Sequence, residues 1–274
     1  MRIVRYAHPS GARYGSLDDD GTVHAIDGDI FGDHSVGESV GSVDDLKLLA
    51  PIVPGKAIGV GLNYMEHIME TVGESGVPKM PMLFIKPSTA ISGPGDDIVL
   101  PRADGFRHAI NDPALQEEPF GEVHYEAELV VVMGKTCRNV DVSEALDYVL
   151  GYTCGNDVSA RKLQFAEMAM GCILMGKGLD TFAPLGPCIV TDIDPNNLRI
   201  QARVNGETKQ DNNTSDMLFN VASLITYLAQ GLTLEPGDCI FTGTPEGVGP
   251  LAVGDTVEIE LEHIGVLRNP VVAA

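Results

Sequence analysis

The sequence predicts an α+β protein with a small N-terminal β-rich domain over residues 1–53 and a larger domain over residues 54–274. The larger domain is expected to be a mixed β-roll or β-sandwich with short helices. Strand-like segments are not followed by helices at regular intervals, which disfavours a doubly wound parallel sheet. Alternating segments meet at Asp-Gly and Asn-Gly dipeptides, as in hairpins. The segment "PIVPGKA" contains two prolines and a glycine and marks the domain boundary.

The N-terminal domain is predicted to be a hairpin followed by a short helix. The segment "ARYGSLDDDGTVHAI" alternates on both sides of Asp20-Gly21, which predicts a tight turn there. The segment "SVDDLKLLAP" predicts the helix, which Pro51 would end.

The larger domain is predicted to contain mostly strands. In chain order we expect a strand in "KAIGVGLNY", a short helix over Asn63–Glu70, a strand in "PMLFIKPSTAI" interrupted by Pro87, and a buried strand over Leu129–Met133. A helix in "DVSEALDYVLGY", with Asp141 and Glu144 spaced as a capping box, and a strand ending at Cys154 follow. The chain then continues with a hairpin around Asn205-Gly206, a helix in "DMLFNVASLITYLAQG" with Gly231 as its C-cap, and two turn–strand units.

Composition argues against several classes of protein. The net charge of -21 disfavours nucleic acid and anionic membranes as partners, because both recruit Lys and Arg. No apolar run approaches the roughly 20 residues that span a bilayer, and the start lacks the apolar core of a signal peptide. Five cysteines without zinc-like spacing favour reduced thiols in a cytoplasmic protein. The segments "GVGLNY" and "GTPEGVG" match neither nucleotide-binding glycine motif completely.

Acidic residues border the predicted buried strand in "HYEAELVVVMG". Glu126 and Glu128 share one face of it with Val130 and Val132, because side chains alternate along a strand. Two glutamates on a solvent-facing side would fit the same spacing. Asp157 follows the strand ending at Cys154, where it is either a helix N-cap or a third carboxylate ligand. Three converging carboxylates would suit Mg²⁺ or Mn²⁺.

The sequence resembles the fumarylacetoacetate hydrolase superfamily from about residue 52 to residue 259. Seven ordered segments carry this resemblance: "GLNYMEHIME", "LFIKPSTAISGPGDDIVLP", "HYEAELVVVMGKTCRNV", "ALDYVLGYTCGNDVSARKLQ", "GKGLDTFAPLGP", "VNGETKQDNNT" and "LEPGDCIFTGTPEGVG". The resemblance implies the C-terminal β-roll of that family, a homodimer, and Glu126, Glu128 and Asp157 as ligands of Mg²⁺ or Mn²⁺.

The resemblance also implies catalytic residues. His67 and Glu70 lie three apart, so a helix places them on one face. Alone, that spacing also describes a surface contact. In the hydrolase and decarboxylase branches of the family it is a dyad on a lid, in which the carboxylate raises the basicity of the imidazole. Lys177 matches a lysine beside the metal, where it would offset developing negative charge.

Four further positions match substrate-binding residues of the family: Arg161, Gln164, Thr181 and Thr244. Arg161 is otherwise a helix-surface charge, and Thr244 a turn residue before Pro245. The chain also departs from the family pattern. Lys162 stands where the family commonly has Asp, the chain contains no Trp, and Gly178 replaces a serine. Residues 102–123 form an insertion that acts as a lid, a surface loop or a dimer contact.

These implications predict a metal-dependent hydrolase that cleaves a C–C bond in a small 2-oxo or 1,3-diketo acid of the acylpyruvate or fumarylpyruvate type. The alternative at the same site is a decarboxylase, or an isomerase or tautomerase of 2-hydroxy-diene-dioates or oxaloacetate. A catalytically silent binding protein is a third alternative, but it should have lost His67, Glu70 or Lys177, and all three are present.

Overall fold

The computed structural model describes residues 1–104 and 106–274, where the chain forms twenty strands and five α-helices. The strands are β1 (Arg2–Tyr6), β2 (Arg13–Leu17), β3 (Thr22–Gly28), β4 (His34–Ser42), β5 (Leu48–Leu49), β6 (Ala57–Gly61), β7 (Met82–Lys86), β8 (Ile91–Ser92), β9 (Ile98–Leu100), β10 (Val123–Tyr125), β11 (Ala127–Met133), β12 (Val149–Asn156), β13 (Ser159–Ala160), β14 (Ala183–Val190), β15 (Arg199–Val204), β16 (Glu207–Asn213), β17 (Cys239–Phe241), β18 (Gly249–Pro250), β19 (Thr256–Leu261) and β20 (Gly265–Ala273). The helices are α1 (Met65–Thr71), α2 (Pro113–Glu117), α3 (Arg161–Ala169), α4 (Met175–Gly178) and α5 (Val221–Gly231).

The strands form three sheets. The largest has twelve strands, ten of them in the order β4-β3-β2-β1-β14-β12-β11-β17-β6-β7. The other two sheets follow the orders β13-β10-β18 and β16-β15-β19-β20-β9. Most pairs are antiparallel, but β17 pairs with β6, β14 with β8 and β20 with β9 in parallel. The predicted mixed α+β class with few short helices is therefore confirmed.

The N-terminal strands extend the large sheet. Strand β1 pairs with β14 in antiparallel register, so β1 to β4 continue the sheet built by the rest of the chain. The predicted Asp20-Gly21 turn joins β2 to β3, and Gly21 takes the left-handed backbone that this turn requires. The expected helix before Pro51 is reduced to one 3₁₀ turn, Val43–Asp45, because the next residues pair with β1 as β5.

The central strand of the site, β11, is buried along its whole length. Leu129, Val131 and Met133 pack into one apolar cluster of the core. Val130 and Val132 pack into a second cluster on the opposite face. Both faces of β11 are thus covered, and any polar side chain on this strand lies inside the protein.

Two predicted helices differ from the structure. The segment around Asp141 forms only a 3₁₀ turn, Ala145–Tyr148, because the chain enters β12 at once. The helix expected from residue 216 begins at Val221, capped by the Asn220 side chain, and ends at Gly231. Its start is delayed because Met217 forms an isolated β-bridge. None of the helices in the described ranges is long and apolar enough to cross a membrane.

The insertion, residues 102–123, packs on the start of α3, apart from Gly105, which lies outside the described residues. It contains α2, whose N-cap Asp112 accepts backbone N–H bonds from α2. Carbonyl oxygens of Phe120 and Glu122 accept the backbone N–H groups of Lys162 and Arg161 at 3.0 Å. These bonds satisfy N–H donors at the start of α3, which has no side-chain cap.

Candidate active site and metal centre

Three acidic side chains converge where β11 and β12 pair. Ala127 lies opposite Asn156 in this antiparallel pair, which brings Asp157 beside Glu126. The backbone N–H of Asp157 donates to the carbonyl of Glu126 at 2.9 Å. One carboxylate oxygen from each of Glu126, Glu128 and Asp157 lies within 4.8 Å of the others, and all three residues are buried. The solvent-facing alternative for the two glutamates is therefore wrong.

Asp157 does not cap a helix. Helix α3 starts at Arg161, and its N-cap position is Ala160. The carboxylate of Asp157 is instead held by two lysines: Lys86 donates to Oδ1, and Lys177 donates to Oδ2 at 2.6 Å.

Positive charges surround two of the three carboxylates. Lys177 Nζ lies 2.7 Å from Glu126 Oε2, and a guanidinium nitrogen of Arg161 lies 2.5 Å from Glu126 Oε1. Lys177 also lies over the ring of Phe84, 5.0 Å from its centroid, as in a cation–π contact. Among the described residues, the hydrogen-bond partner of the Glu128 carboxylate is the backbone N–H of Gly243, at 2.8 Å.

These different surroundings shift the pKa values of Glu126 and Glu128 in opposite directions. Burial raises the pKa of Glu128 well above its ordinary value, and the charges of Asp157 and Glu126 raise it further. Burial also acts to raise the pKa of Glu126, but Arg161 and Lys177 overcome it and hold that pKa low. For Lys177, burial favours the neutral amine, yet Asp157 and Glu126 raise its pKa. For Lys86, burial prevails and lowers the pKa.

The three carboxylates fit a hard divalent cation. They offer oxygen donors in a compact group, as Mg²⁺ and Mn²⁺ prefer. Glu128 carries no cationic side-chain partner in the described part of the chain. A divalent cation would supply the positive charge that this buried carboxylate otherwise lacks.

His67 and Glu70 lie on α1, at the edge of the same cavity. His67 is buried and lines the cavity, whereas the Glu70 side chain is 43% exposed. Their Nδ1 and Oε2 atoms are 3.6 Å apart, and Glu70 also accepts the backbone N–H of Gly247 at 3.2 Å. Burial lowers the pKa of His67, against the charge of Glu126. A plain surface contact does not describe this pair.

The cavity brings together most of the predicted site residues. It is lined by His67, Glu126, Glu128, Arg161, Gln164, Lys177 and Thr244, with an apolar wall that includes Val60, Met82, Phe84, Phe165 and Met168. Arg161 donates to Gln164 Oε1 at 3.0 Å. The Thr244 hydroxyl is buried and accepts from Gln210 at 2.8 Å, so Thr244 is more than a turn residue. The interpretation of Arg161 as a free surface charge is wrong.

Thr181 is a predicted site residue that the structure places away from both the cavity and the carboxylate cluster. Its hydroxyl accepts the backbone N–H of Val99 at 2.9 Å, and it does not line the cavity. Its backbone is left-handed, with a φ of 67°. In the structure Thr181 therefore holds β9 in place, and its substrate-binding role is a prediction without support from this geometry.

Two polar residues at the site were not predicted. Lys86 is fully buried at the end of β7, although it looks like an ordinary surface lysine before Pro87 in the sequence. Glu167 on α3 accepts the backbone N–H groups of Leu174, Met175 and Gly176 at 2.8–3.0 Å. The Glu167 carboxylate thus fixes the backbone of residues 174–176, which directly precede Lys177. The sequence signal for Lys86 is its position on the face shared by Met82 and Phe84.

Comparison with known proteins identifies the family of this chain. The model of the fumarylacetoacetate (FAA) hydrolase C-terminal family matches residues 56–272. The chain belongs to the fumarylacetoacetate hydrolase superfamily. Residues 1–51 match a second model, that of the Rv2993c-like N-terminal family. The predicted membership of the fumarylacetoacetate hydrolase superfamily is confirmed.

Relatives within the superfamily carry different activities in their names. The mitochondrial oxaloacetate tautomerase FAHD2A of Bos taurus is 42% identical over 83% of this chain and 70% of its own length. The crystal structure of 5-carboxymethyl-2-hydroxymuconate delta-isomerase from Mycobacterium smegmatis is 42% identical, has a TM-score of 0.86 and covers 100% of both chains. Fumarylpyruvate hydrolase from Pseudomonas aeruginosa, in complex with Mn²⁺ and pyruvate, is 29% identical with a TM-score of 0.71, over 81% of this chain and 91% of its own. The chain is therefore similar to isomerising and hydrolysing enzymes alike.

Proposed function

We propose that this protein is a metal-dependent tautomerase that interconverts the enol and keto forms of a small 2-oxo dicarboxylic acid such as oxaloacetate. The observation that carries the proposal is the position of His67. A buried imidazole, a carboxylate cluster and two cationic side chains open onto one cavity. This combination suits proton transfer next to the carbonyl of an anionic substrate.

The chain supplies cationic groups for the substrate. Arg161 and Lys177 line the cavity and now pair with Glu126. When bound at Glu126, Glu128 and Asp157, Mg²⁺ or Mn²⁺ supplies Lewis-acid polarisation of the 2-oxo oxygen. Arg161 can then bind a substrate carboxylate through two parallel N–H bonds, beside the amide of Gln164.

His67 moves the proton. In the enol-to-keto direction its imidazole accepts the proton of the enol hydroxyl, and the resulting imidazolium donates a proton to C3 of the substrate as the C=O bond forms, which leaves His67 neutral again. The reaction is balanced because one proton leaves oxygen and one reaches carbon. Lys177 stabilises the negative charge on the enolate oxygen between these two transfers. Glu70 orients His67 from the rim of the cavity.

Tautomerisation is preferred to hydrolysis because relatives named for isomerising reactions reach 42% identity, against 33% and 29% for the two solved structures named as hydrolases. Hydrolysis of an acylpyruvate is the second candidate. It is favoured by the His67–Glu70 pair, which suits activation of water, and by the fumarylpyruvate hydrolase among the similar structures. The homodimer and the cytoplasmic location expected from the sequence remain predictions.

The test is a small substrate panel followed by ultraviolet absorbance and product analysis. Oxaloacetate in its enol form, acetylpyruvate and fumarylpyruvate are each incubated with the protein and Mg²⁺ or Mn²⁺, with EDTA as the matched control. We expect accelerated loss of the oxaloacetate enol band that requires the metal and releases no CO₂. Cleavage of an acylpyruvate without acceleration on oxaloacetate would contradict tautomerisation and establish the second candidate. Release of CO₂ from oxaloacetate would instead identify a decarboxylase.

A further inference from the structure

Lys86 stands out because it is a charged residue at a position where the alternation of its strand leads to burial. Strand β7 is an edge strand of the large sheet, with Leu83 37% and Ile85 51% exposed on its outer face. Met82 and Phe84 occupy the inner face and line the cavity. Lys86 continues this inner face and is only 1% exposed. A lysine is almost never this buried unless it has a specific partner.

The partner of Lys86 is one particular oxygen of Asp157. Lys86 Nζ donates to Oδ1, and it also donates to the carbonyl of Val158 at 3.3 Å. Lys177 donates to the other oxygen, Oδ2, at 2.6 Å. Each lysine therefore binds a different oxygen of the Asp157 carboxylate.

The two lysines differ in what else they can reach. Lys177 lines the cavity and also contacts Glu126, so it lies between the carboxylates and the space for substrate. Lys86 does not line the cavity, and its hydrogen-bond partners are Oδ1 of Asp157 and the carbonyl of Val158. A cation arriving at the carboxylate cluster would displace Lys177 from Oδ2 and leave Lys86 in place on Oδ1.

We propose that Lys86 is a positioning residue that holds Oδ1 of Asp157, so that this carboxylate presents only Oδ2 to a divalent cation and Lys177 becomes free to face the substrate. The inference rests on the proposed function in one respect, since it requires Glu126, Glu128 and Asp157 to bind a metal. Groups behind the ligands of a metal orient them, and their loss commonly weakens metal binding about 10–100-fold.

The experiment measures Mn²⁺ binding directly, by the electron paramagnetic resonance signal of free Mn²⁺ during titration. The variants are Lys86→Met and Lys86→Gln, which both remove the ammonium group, and Lys86→Arg, which keeps a cation. The matched control is Lys56→Met, because Lys56 pairs at 2.6 Å with another buried aspartate, Asp238, where β6 and β17 begin rather than at the cavity. Circular dichroism and the melting temperature identify the variants that fold.

We expect the dissociation constant for Mn²⁺ to rise about 10–100-fold in whichever of Lys86→Met and Lys86→Gln folds. Lys86→Arg should recover part of the affinity, and Lys56→Met should bind Mn²⁺ like the wild type. Unchanged or tighter binding in a folded Lys86→Met or Lys86→Gln protein would overturn the inference and leave the proposed function intact. Absence of Mn²⁺ binding in the wild type would contradict the proposed function itself, and the role of Lys86 with it.

Discussion

The Nδ1 atom of His67 lies 3.6 Å from Oε2 of Glu70, but their side chains differ sharply in exposure, at 6% and 43%. The imidazole lines the cavity, whereas the Glu70 carboxylate is exposed and accepts the backbone N–H of Gly247. In the proposed mechanism, a base shielded from water is therefore oriented by a residue that water reaches. The two residues therefore differ in their exposure to solvent and in their expected roles, although their spacing in the sequence presents them as a pair.

Substitution of the two residues should therefore have unequal effects. We expect His67→Gln to lower kcat/KM for enol-to-keto conversion about 10²–10⁴-fold, the usual contribution of a general base. Glu70→Gln should lower it by a smaller factor, because the imidazole remains in the cavity. The control is His34→Gln, since His34 is exposed on β4. Equal losses in the two variants, or a loss in His34→Gln, would contradict this assignment.

The pH dependence of the reaction should follow His67. Burial lowers the pKa of His67 from its ordinary value of 6.5, so the neutral imidazole that accepts a proton is present at pH 7. As pH falls through the lowered pKa, kcat/KM should decline, with its midpoint below 6.5. Kinetics measured between about pH 5 and about pH 8 would show this limb. A midpoint above 6.5 would show that the imidazolium is stabilised by its surroundings, contrary to the structure.

The pH dependence of protein stability gives an independent check on the lowered pKa of His67. Because the unfolded chain binds a proton at His67 more readily than the folded protein, stability should fall as pH drops below 6.5. The decline should be smaller in His67→Gln, as measured by urea unfolding of the metal-free protein. An identical pH dependence of stability in the two proteins would show that His67 is not buried as described.

The two glutamates of the cluster should respond oppositely to neutralisation. Glu128→Gln should leave the metal-free protein equally stable or more stable, because burial and the charges of Asp157 and Glu126 already disfavour the ionised carboxylate, and glutamine carries no charge. Glu126→Gln should destabilise it by about 3–5 kcal/mol, because Lys177 and Arg161 lose a buried partner. Melting temperatures with EDTA distinguish the two effects.

Added Mn²⁺ completes this comparison. It should raise the melting temperature of the wild type, since a ligand stabilises the state that binds it, and it should raise that of each glutamine variant less. If Glu128→Gln destabilised the metal-free protein as much as Glu126→Gln, the buried charge of Glu128 would have a partner that this structure lacks.

Close packing between α3 and α4 predicts a strong effect at Gly176. A Cβ atom there would lie 2.6 Å from backbone atoms of Gln164, so the two helices would have to separate. Gly176→Ala should therefore cost about 1–3 kcal/mol of stability and reduce activity, because Lys177 follows directly.

Gly231→Ala is the matched control for this substitution. A Cβ at Gly231 meets nothing within 4 Å, and this residue ends α5. We expect it to be neutral or to stabilise the protein by about 0.4–1 kcal/mol, as measured by urea unfolding. Comparable destabilisation by both substitutions would contradict the packing described here.

The carboxylate cluster was implied by the resemblance to the family, because strand alternation alone also fitted two glutamates on a solvent-facing side. The structure covers both faces of β11, so Glu128 lies inside, where a buried charge requires a partner. The role of Asp157 was ambiguous because either a helix N-cap or a carboxylate ligand fits an aspartate that directly follows a strand. Only the pairing of β11 with β12 brings it beside Glu126.

The missed features depend on contacts between distant parts of the chain. Lys86 and Asp157 are far apart in sequence, and only the folding of β7 against the site makes their pair visible. The helix expected around Asp141 had the local spacing of a capping box, but the pairing of β12 in the large sheet leaves room for only a 3₁₀ turn. Thr181 matched a family motif, yet its hydroxyl turns to β9.

The most direct test of the central claim is exchange of the C3 protons of oxaloacetate with deuterium in D₂O, followed by proton nuclear magnetic resonance. Tautomerisation must place a solvent-derived proton on C3 in each turnover. With Mg²⁺, the wild-type protein should accelerate exchange above the rate in buffer, and EDTA or His67→Gln should abolish the acceleration. Exchange at the buffer rate in the Mg²⁺-loaded wild type would contradict a tautomerase in which His67 is the base.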